Sequence, residues 1–90
     1  MLTPVLKRQF VRDYQLALRR GKSRAKIERV LELLCEQQPL PASLCDHPLK
    51  GEYAGCRDCH IEPDLILIYR IDHGQLHLIC LRLGTHSDLF

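Results

Sequence analysis

Ninety residues with 46% apolar and 27% charged content describe one soluble globular domain, residues 1–90, with too much apolar content for a disordered tail. The longest aliphatic run, residues 65–69, is far too short to span a membrane, and the N-terminal residues MLTPVLKRQF contain no apolar export core, so the expected location is the cytoplasm with no membrane partner. The net charge of +2 hides an asymmetry: residues 1–30 hold nine Lys/Arg against Asp13 and Glu28, whereas residues 31–90 hold four basic and nine acidic residues. A basic half on a small domain suggests contact with phosphates or with an acidic partner.

The chain opens on a short apolar stretch, residues 2–6, in which Pro4 lacks an amide hydrogen and permits at best an edge strand. A helical period follows. Leu6, Phe10, Tyr14, Ala17 and Leu18 share one side, and Lys7, Arg8, Arg12, Asp13 and Arg19 fill much of the other. Gly21 is placed to end this helix and Ser23 to cap the next. Ile27, Val30, Leu31, Leu34 and Cys35 then form a second apolar stripe, so the two helices make a hairpin.

Pro39 and Pro41 break the helical pattern, and an ordered loop is expected as far as Gly51. Residues 56–62 read as a strand, with Cys56, Asp58 and His60 on one face and Arg57, Cys59 and Ile61 on the other. Pro63-Asp64 is a turn. Residues 65–71 are apolar on both faces and belong in the sheet centre. Asp72-His73-Gly74 is a hairpin turn with glycine at a position suited to positive φ. In residues 75–83, Leu76, Leu78, Cys80 and Arg82 are expected on one face. The fold class is therefore α+β: an N-terminal helical hairpin packed on one face of a three- to four-stranded antiparallel sheet, the other face open.

Five cysteines are an odd number, and without an export signal they are expected to be free thiols. Cys56-Arg-Asp-Cys59-His60 spells a haem-attachment pattern, and Cys45, His47, Cys56 and Cys59 could be read as zinc ligands. Opposite-face alternation of Cys56 and Cys59 suits neither, so no cofactor and no metal are expected.

The polar residues left over after the core is assigned gather in two segments, Asp46–Asp64 and Gly84–Phe90. His47, His60 and His86 lie there, and histidine can take or give a proton near neutral pH. RNA cleavage by its own 2′-hydroxyl needs a base for that hydroxyl, an acid for the departing 5′-oxygen and cations on the phosphate. Lys50, Arg57 and Arg82 are candidates for the last role.

In these segments Asp46-His-Pro-Leu-Lys-Gly51, Arg57-Asp-Cys-His-Ile-Glu-Pro-Asp64, Leu67-Ile-Tyr69 and Gly84-Thr-His-Ser-Asp-Leu-Phe90 resemble, in order and spacing, the YafQ-type toxins of the RelE/ParE toxin–antitoxin superfamily. The resemblance implies a RelE-like, microbial-RNase-like fold and ribosome-dependent cleavage of mRNA in the A site. By the same resemblance His47, His60, Asp64 and His86 are the acid–base set, Asp58 supports the site and Phe90 stacks on a base. Lys7, Arg8, Arg12, Arg19, Arg20 and Lys22 would face ribosomal RNA. The implied partners are a DinJ-like cognate antitoxin, the ribosome and its mRNA, and operator DNA through the toxin–antitoxin complex. The chain departs from the family pattern at Leu65, where tryptophan is usual, at Cys56, commonly aromatic, and at Leu83, commonly threonine. The alternative within the superfamily is a non-enzymatic toxin that inhibits a protein such as gyrase, and the histidine set favours the nuclease.

Overall fold

In a computed structural model describing residues 1–90, β1 (Thr3–Leu6) leads into two helices joined by a short turn, α1 (Arg8–Arg19) and α2 (Arg24–Cys35). Gly21 closes the first at φ +83°, and the Ser23 hydroxyl accepts the Lys26 amide to cap the second, as the sequence predicts. A 3-10 turn (Ala42–Leu44), the two-residue strand β2 (His47–Pro48) and a second 3-10 turn (Gly51–Tyr53) follow. The chain ends with β3 (Arg57–Glu62), β4 (Leu65–Asp72), β5 (His77–Gly84) and the single helical turn α3 (His86–Leu89). No helix is long and apolar enough to cross a membrane.

The sheet has five strands in the order β1-β5-β4-β3-β2. This corrects the expectation of three or four antiparallel strands, because β1 joins the edge parallel to β5. Thr3 and Lys7 donate to the Leu76 and Cys80 carbonyls, so alternate residues of β1 face β5 and Pro4 occupies an outward position. Its missing amide is harmless there. The aliphatic stretch Leu65–Tyr69 is buried on both faces at the sheet centre.

The helices lay Phe10, Ala17, Ile27, Val30 and Leu34 on the face formed by Cys59, Ile61, Leu65, Leu67, Tyr69, Leu78, Cys80 and Leu83. The other face is not fully open. A smaller cluster of Cys56, Ile66, Ile68 and Leu89, flanked by Leu49, Tyr53 and Leu81, covers part of it. Cys56 and Cys59 therefore lie on opposite faces, as alternation requires, and all five cysteines are free.

Two local expectations need correction. A bulge shifts the β4–β5 register between Ile68 and Tyr69, so Tyr69 pairs with Cys80 but Ile68 with Arg82. The extra residue turns Arg82 to the face opposite Leu78 and Cys80. In the β4–β5 hairpin, Leu76 adopts the positive φ of 57°, not Gly74; the Asp72 carboxylate instead holds the turn by accepting the Gly74 and Gln75 amides. The C-terminal segment is helical because Thr85 and Asp88 form a reciprocal capping box. A Cβ on Gly84 would lie 3.0 Å from Asp88 Oδ2, so this turn folds back too closely for a larger residue.

Candidate active site

β2 is short, but it fixes the first histidine. His47 pairs with Asp58 and Pro48 with Arg57, which places the His47 and Asp58 side chains on the face away from the helices. The preceding residues are pinned from the other face. Asp46 Oδ1 accepts the buried Tyr69 hydroxyl at 2.6 Å and Arg57 Nε at 3.2 Å, while Arg57 Nη2 reaches Oδ2 at 3.4 Å. Asp46 and His47 thus straddle the sheet edge, one carboxylate below and one imidazole above. Cys45 takes a left-handed conformation at φ 51° to enter this arrangement.

His60 follows two residues after Asp58 and shares its face. The two imidazoles are held alike. His47 Nδ1 lies 2.7 Å from the Cys45 carbonyl, and His60 Nδ1 lies 3.3 Å from that of Pro63. A carbonyl only accepts, so each Nδ1 carries a hydrogen and Nε2 is left as the free nitrogen. Asp64, beyond Pro63 in the β3–β4 turn, accepts the His86 backbone amide at 3.4 Å and so ties α3 to the end of β3.

His86 opens α3, and its ring packs against Phe90 at a centroid distance of 5.1 Å. Phe90 meets Tyr53 edge-to-face at 6.1 Å yet remains 54% exposed, an aromatic surface open to a further ring.

Asp58 is the electrostatic centre of the group. Burial raises its carboxyl above the ordinary range, while the nearby imidazoles of His47, His60 and His86 act to lower it. Its Oδ1 is buried without a hydrogen bond. His47 Nδ1 lies 3.1 Å from it, but that hydrogen is aimed at Cys45, so the contact is Coulombic. All three candidate histidines therefore fall within the field of one buried carboxylate.

The other candidates divide. Lys50 is exposed beside β2. Arg57, expected beside the phosphate, is turned to the opposite face, where Asp46 holds it firmly protonated. Arg82 donates to Asp13 Oδ2 at 2.8 Å and is held firmly protonated there. Lys7, Arg8, Arg12 and Arg19 are exposed and free of ion pairs, whereas Arg20 is paired with Asp88 at 2.9 Å and Lys22 lies 3.8 Å from Glu62. No group of three His, Cys, Asp or Glu side chains converges to hold a metal ion.

Sequence reasoning missed Asp13, Asp46, Tyr53 and Tyr69. Asp46 carried a signal, since it precedes the loop histidine. Asp13 looked like one more polar residue on a basic helix face, and only its tertiary partners distinguish it.

The model of the family described as bacterial toxin of type II toxin–antitoxin system, YafQ, matches residues 2–90. The chain belongs to the YafQ toxin family. It is 43% identical over 83 residues to the mRNA interferase toxin YafQ of Escherichia coli K12, covering 91% of this chain and 88% of that protein. A metal-bound toxin from Helicobacter pylori matches at a TM-score of 0.94 with 38% identity, over 100% of both chains. YafQ in the E. coli DinJ–YafQ toxin–antitoxin complex matches at 0.88 with 40% identity, over 99% of this chain and 97% of the other. The YafQ fold is therefore the one that brings His47, His60 and His86 to the face left clear by the helices.

Proposed function

We propose that this YafQ-family chain is the toxin of a type II toxin–antitoxin system, an endoribonuclease that cleaves mRNA in the ribosomal A site and so stops translation. The observation that carries this reading is the placement of His47 and His60 on the helix-free face beside buried Asp58, with His47 Nδ1 3.1 Å from its Oδ1, and of His86 in the turn that Asp64 ties to the end of β3. The similarity to an mRNA interferase over most of the chain supports the same chemistry.

RNA would cross the helix-free face between the β2–β3 edge and α3. One imidazole Nε2 takes the proton of the 2′-hydroxyl as its oxygen attacks the adjacent phosphorus. A second, protonated imidazole gives its proton to the 5′-oxygen as the P–O bond breaks, leaving a 2′,3′-cyclic phosphate and a free 5′-hydroxyl. Asp58 stabilises positive charge developing on the rings, and Asp64 sets His86 by holding its backbone amide. Lys50 and Arg82 supply cations to the phosphate, and Phe90 offers its exposed face to a base. Lys7, Arg8, Arg12 and Arg19 face ribosomal RNA.

The regulatory partner is a cognate antitoxin of the DinJ kind, by similarity to the DinJ–YafQ complex. The toxin–antitoxin complex binds its own operator DNA.

Incubating the purified chain with an mRNA, alone and in a translating ribosome complex, tests the reading. Cleavage confined to the ribosome-bound message, with 2′,3′-cyclic or 3′-phosphate termini, is the expected result. Intact message together with inhibited gyrase would instead favour the non-enzymatic reading.

A further inference from the structure

The C-terminal turn that carries His86 and Phe90 makes few contacts with the main core: Leu89 is its one buried side chain. Besides the Asp64 contact to the His86 amide, it is held by charges on α1. Asp13 is buried although it sits among exposed basic residues, and its contacts outside α1 are with Arg82 and Leu83 at the end of β5. Its Oδ2 accepts the Leu83 backbone amide at 3.0 Å and Arg82 Nε at 2.8 Å; its Oδ1 takes Gln9 Nε2 at 3.1 Å. β1 leaves the sheet after Leu6, so the last residues of β5 have no strand on their outer side. Asp13 takes that strand's place as acceptor for Leu83.

About two helical turns further on, at the C-cap of α1, Arg20 donates to Asp88 Oδ2 at 2.9 Å. The same oxygen accepts the Thr85 amide and completes the capping box. A cleft of about 240 Å³ separates the two contacts and is lined by Asp13, Arg20, Arg82, Thr85 and Asp88. Within the turn, Phe90 packs against both Tyr53 and His86.

We infer that α1 positions the His86–Phe90 turn through two side chains, Asp13 at the end of β5 and Arg20 at Asp88. Neither touches the reacting atoms; both are positioning residues. The inference rests on the nuclease reading above, in which His86 exchanges a proton with the substrate. It gives Arg20 a role within the toxin rather than on ribosomal RNA. Displacement of a reacting group by about 1 Å costs on the order of 100-fold in rate, so a clamp remote from the chemistry can govern turnover.

The test compares Asp13→Asn and Arg20→Ala with wild type in steady-state cleavage of ribosome-bound mRNA, alongside the ring proton resonances of His86 and Phe90. Asp13→Asn is expected to lower kcat about tenfold or more with KM little changed, and to move both ring signals. Asp13→Glu should recover part of the loss. Arg20→Ala, at an exposed pair, is expected to lower kcat about threefold and shift the Phe90 signals. Wild-type kcat with unmoved ring signals in folded Asp13→Asn overturns the inference. Should Asp13→Asn fail to fold, Arg20→Ala decides alone, since its exposed pair does not carry the core: unchanged kcat and signals overturn the inference, and the loss with the shift supports it. His60→Ala separates the two readings, because full cleavage by that variant defeats the nuclease site itself, whatever Asp13 and Arg20 do.

Discussion

His47 Nδ1 stands 2.7 Å from the Cys45 carbonyl and 3.1 Å from Asp58 Oδ1, and its single hydrogen serves the carbonyl. Asp58 therefore presents an unquenched charge to the histidines while lying 4% exposed. Such a carboxylate is costly to the fold and useful to the site.

That conflict gives the first prediction. Burial raises the Asp58 carboxyl, so its stabilising state in the folded protein is the protonated one. Its contribution is fully present below the unfolded carboxylate value, about 3.9, and is lost as pH rises through the raised folded value. At neutral pH the ionised group works against folding. Asp58→Asn should raise the thermal midpoint near pH 7, with the gain vanishing below about pH 4, while cleavage falls on the order of 10-fold or more. Calorimetry over that pH range and a cleavage assay check the two halves; an Asn variant that is less stable at neutral pH contradicts the assignment.

A second prediction concerns the underside of the β2 loop. Tyr69 is buried, and its hydroxyl is tied to Asp46 next to His47. Tyr69→Phe leaves the part-exposed Asp46 carboxylate, still bonded to Arg57, with one donor fewer, a loss of about 1 kcal/mol. Denaturant unfolding should show that loss, and cleavage should fall with it as His47 loosens. Unchanged stability would show that this contact holds nothing in place.

How much of this was legible in the sequence follows from the range of each interaction. Gly21, Ser23 and the alternation of residues 57–62 are local signals, and each element they predict is present. The histidines were legible because no core or helix face accounts for them. The β1–β5 pairing and the burial of Asp13 depend on partners some seventy residues distant, and the extra residue Leu81 opposite Ile68–Tyr69 depends on the strand register, none of which a local period reveals. Arg57 misled for a different reason: its sequence neighbours are site residues, but the strand alternation already evident in the sequence turns it to the other face.

The thiols offer a third prediction. Cys45 is exposed, whereas burial pushes the Cys59 and Cys80 thiols up to about 12, and Cys35 and Cys56 are buried as well. Only a thiolate is nucleophilic, so iodoacetamide at mildly alkaline pH should alkylate Cys45 first in the folded protein and all five cysteines after denaturation. Peptide mass mapping reads the order; early labelling of Cys59 would contradict the packing of β3 against the helices.

The C-terminal turn should respond to acid. Asp88 is held below the ordinary carboxylate range, first by the Thr85 amide and then by Arg20. A lowered group stabilises above its unfolded value and loses that contribution as pH falls through the folded one. The His86–Phe90 turn should thus stay ordered through mildly acidic pH and fray below about pH 4. Amide exchange at Asp88 and Leu89 follows it, and fraying that begins near pH 6 would contradict the capping box as its lock.

The central claim is that the three histidines around Asp58 perform the cleavage. Single-turnover cleavage of ribosome-bound mRNA by His47→Ala, His60→Ala and His86→Ala, each against wild type, tests it most directly. The account predicts losses of about 10²–10⁴-fold for groups that move the protons. Rates within about threefold of wild type in all three folded variants would contradict it.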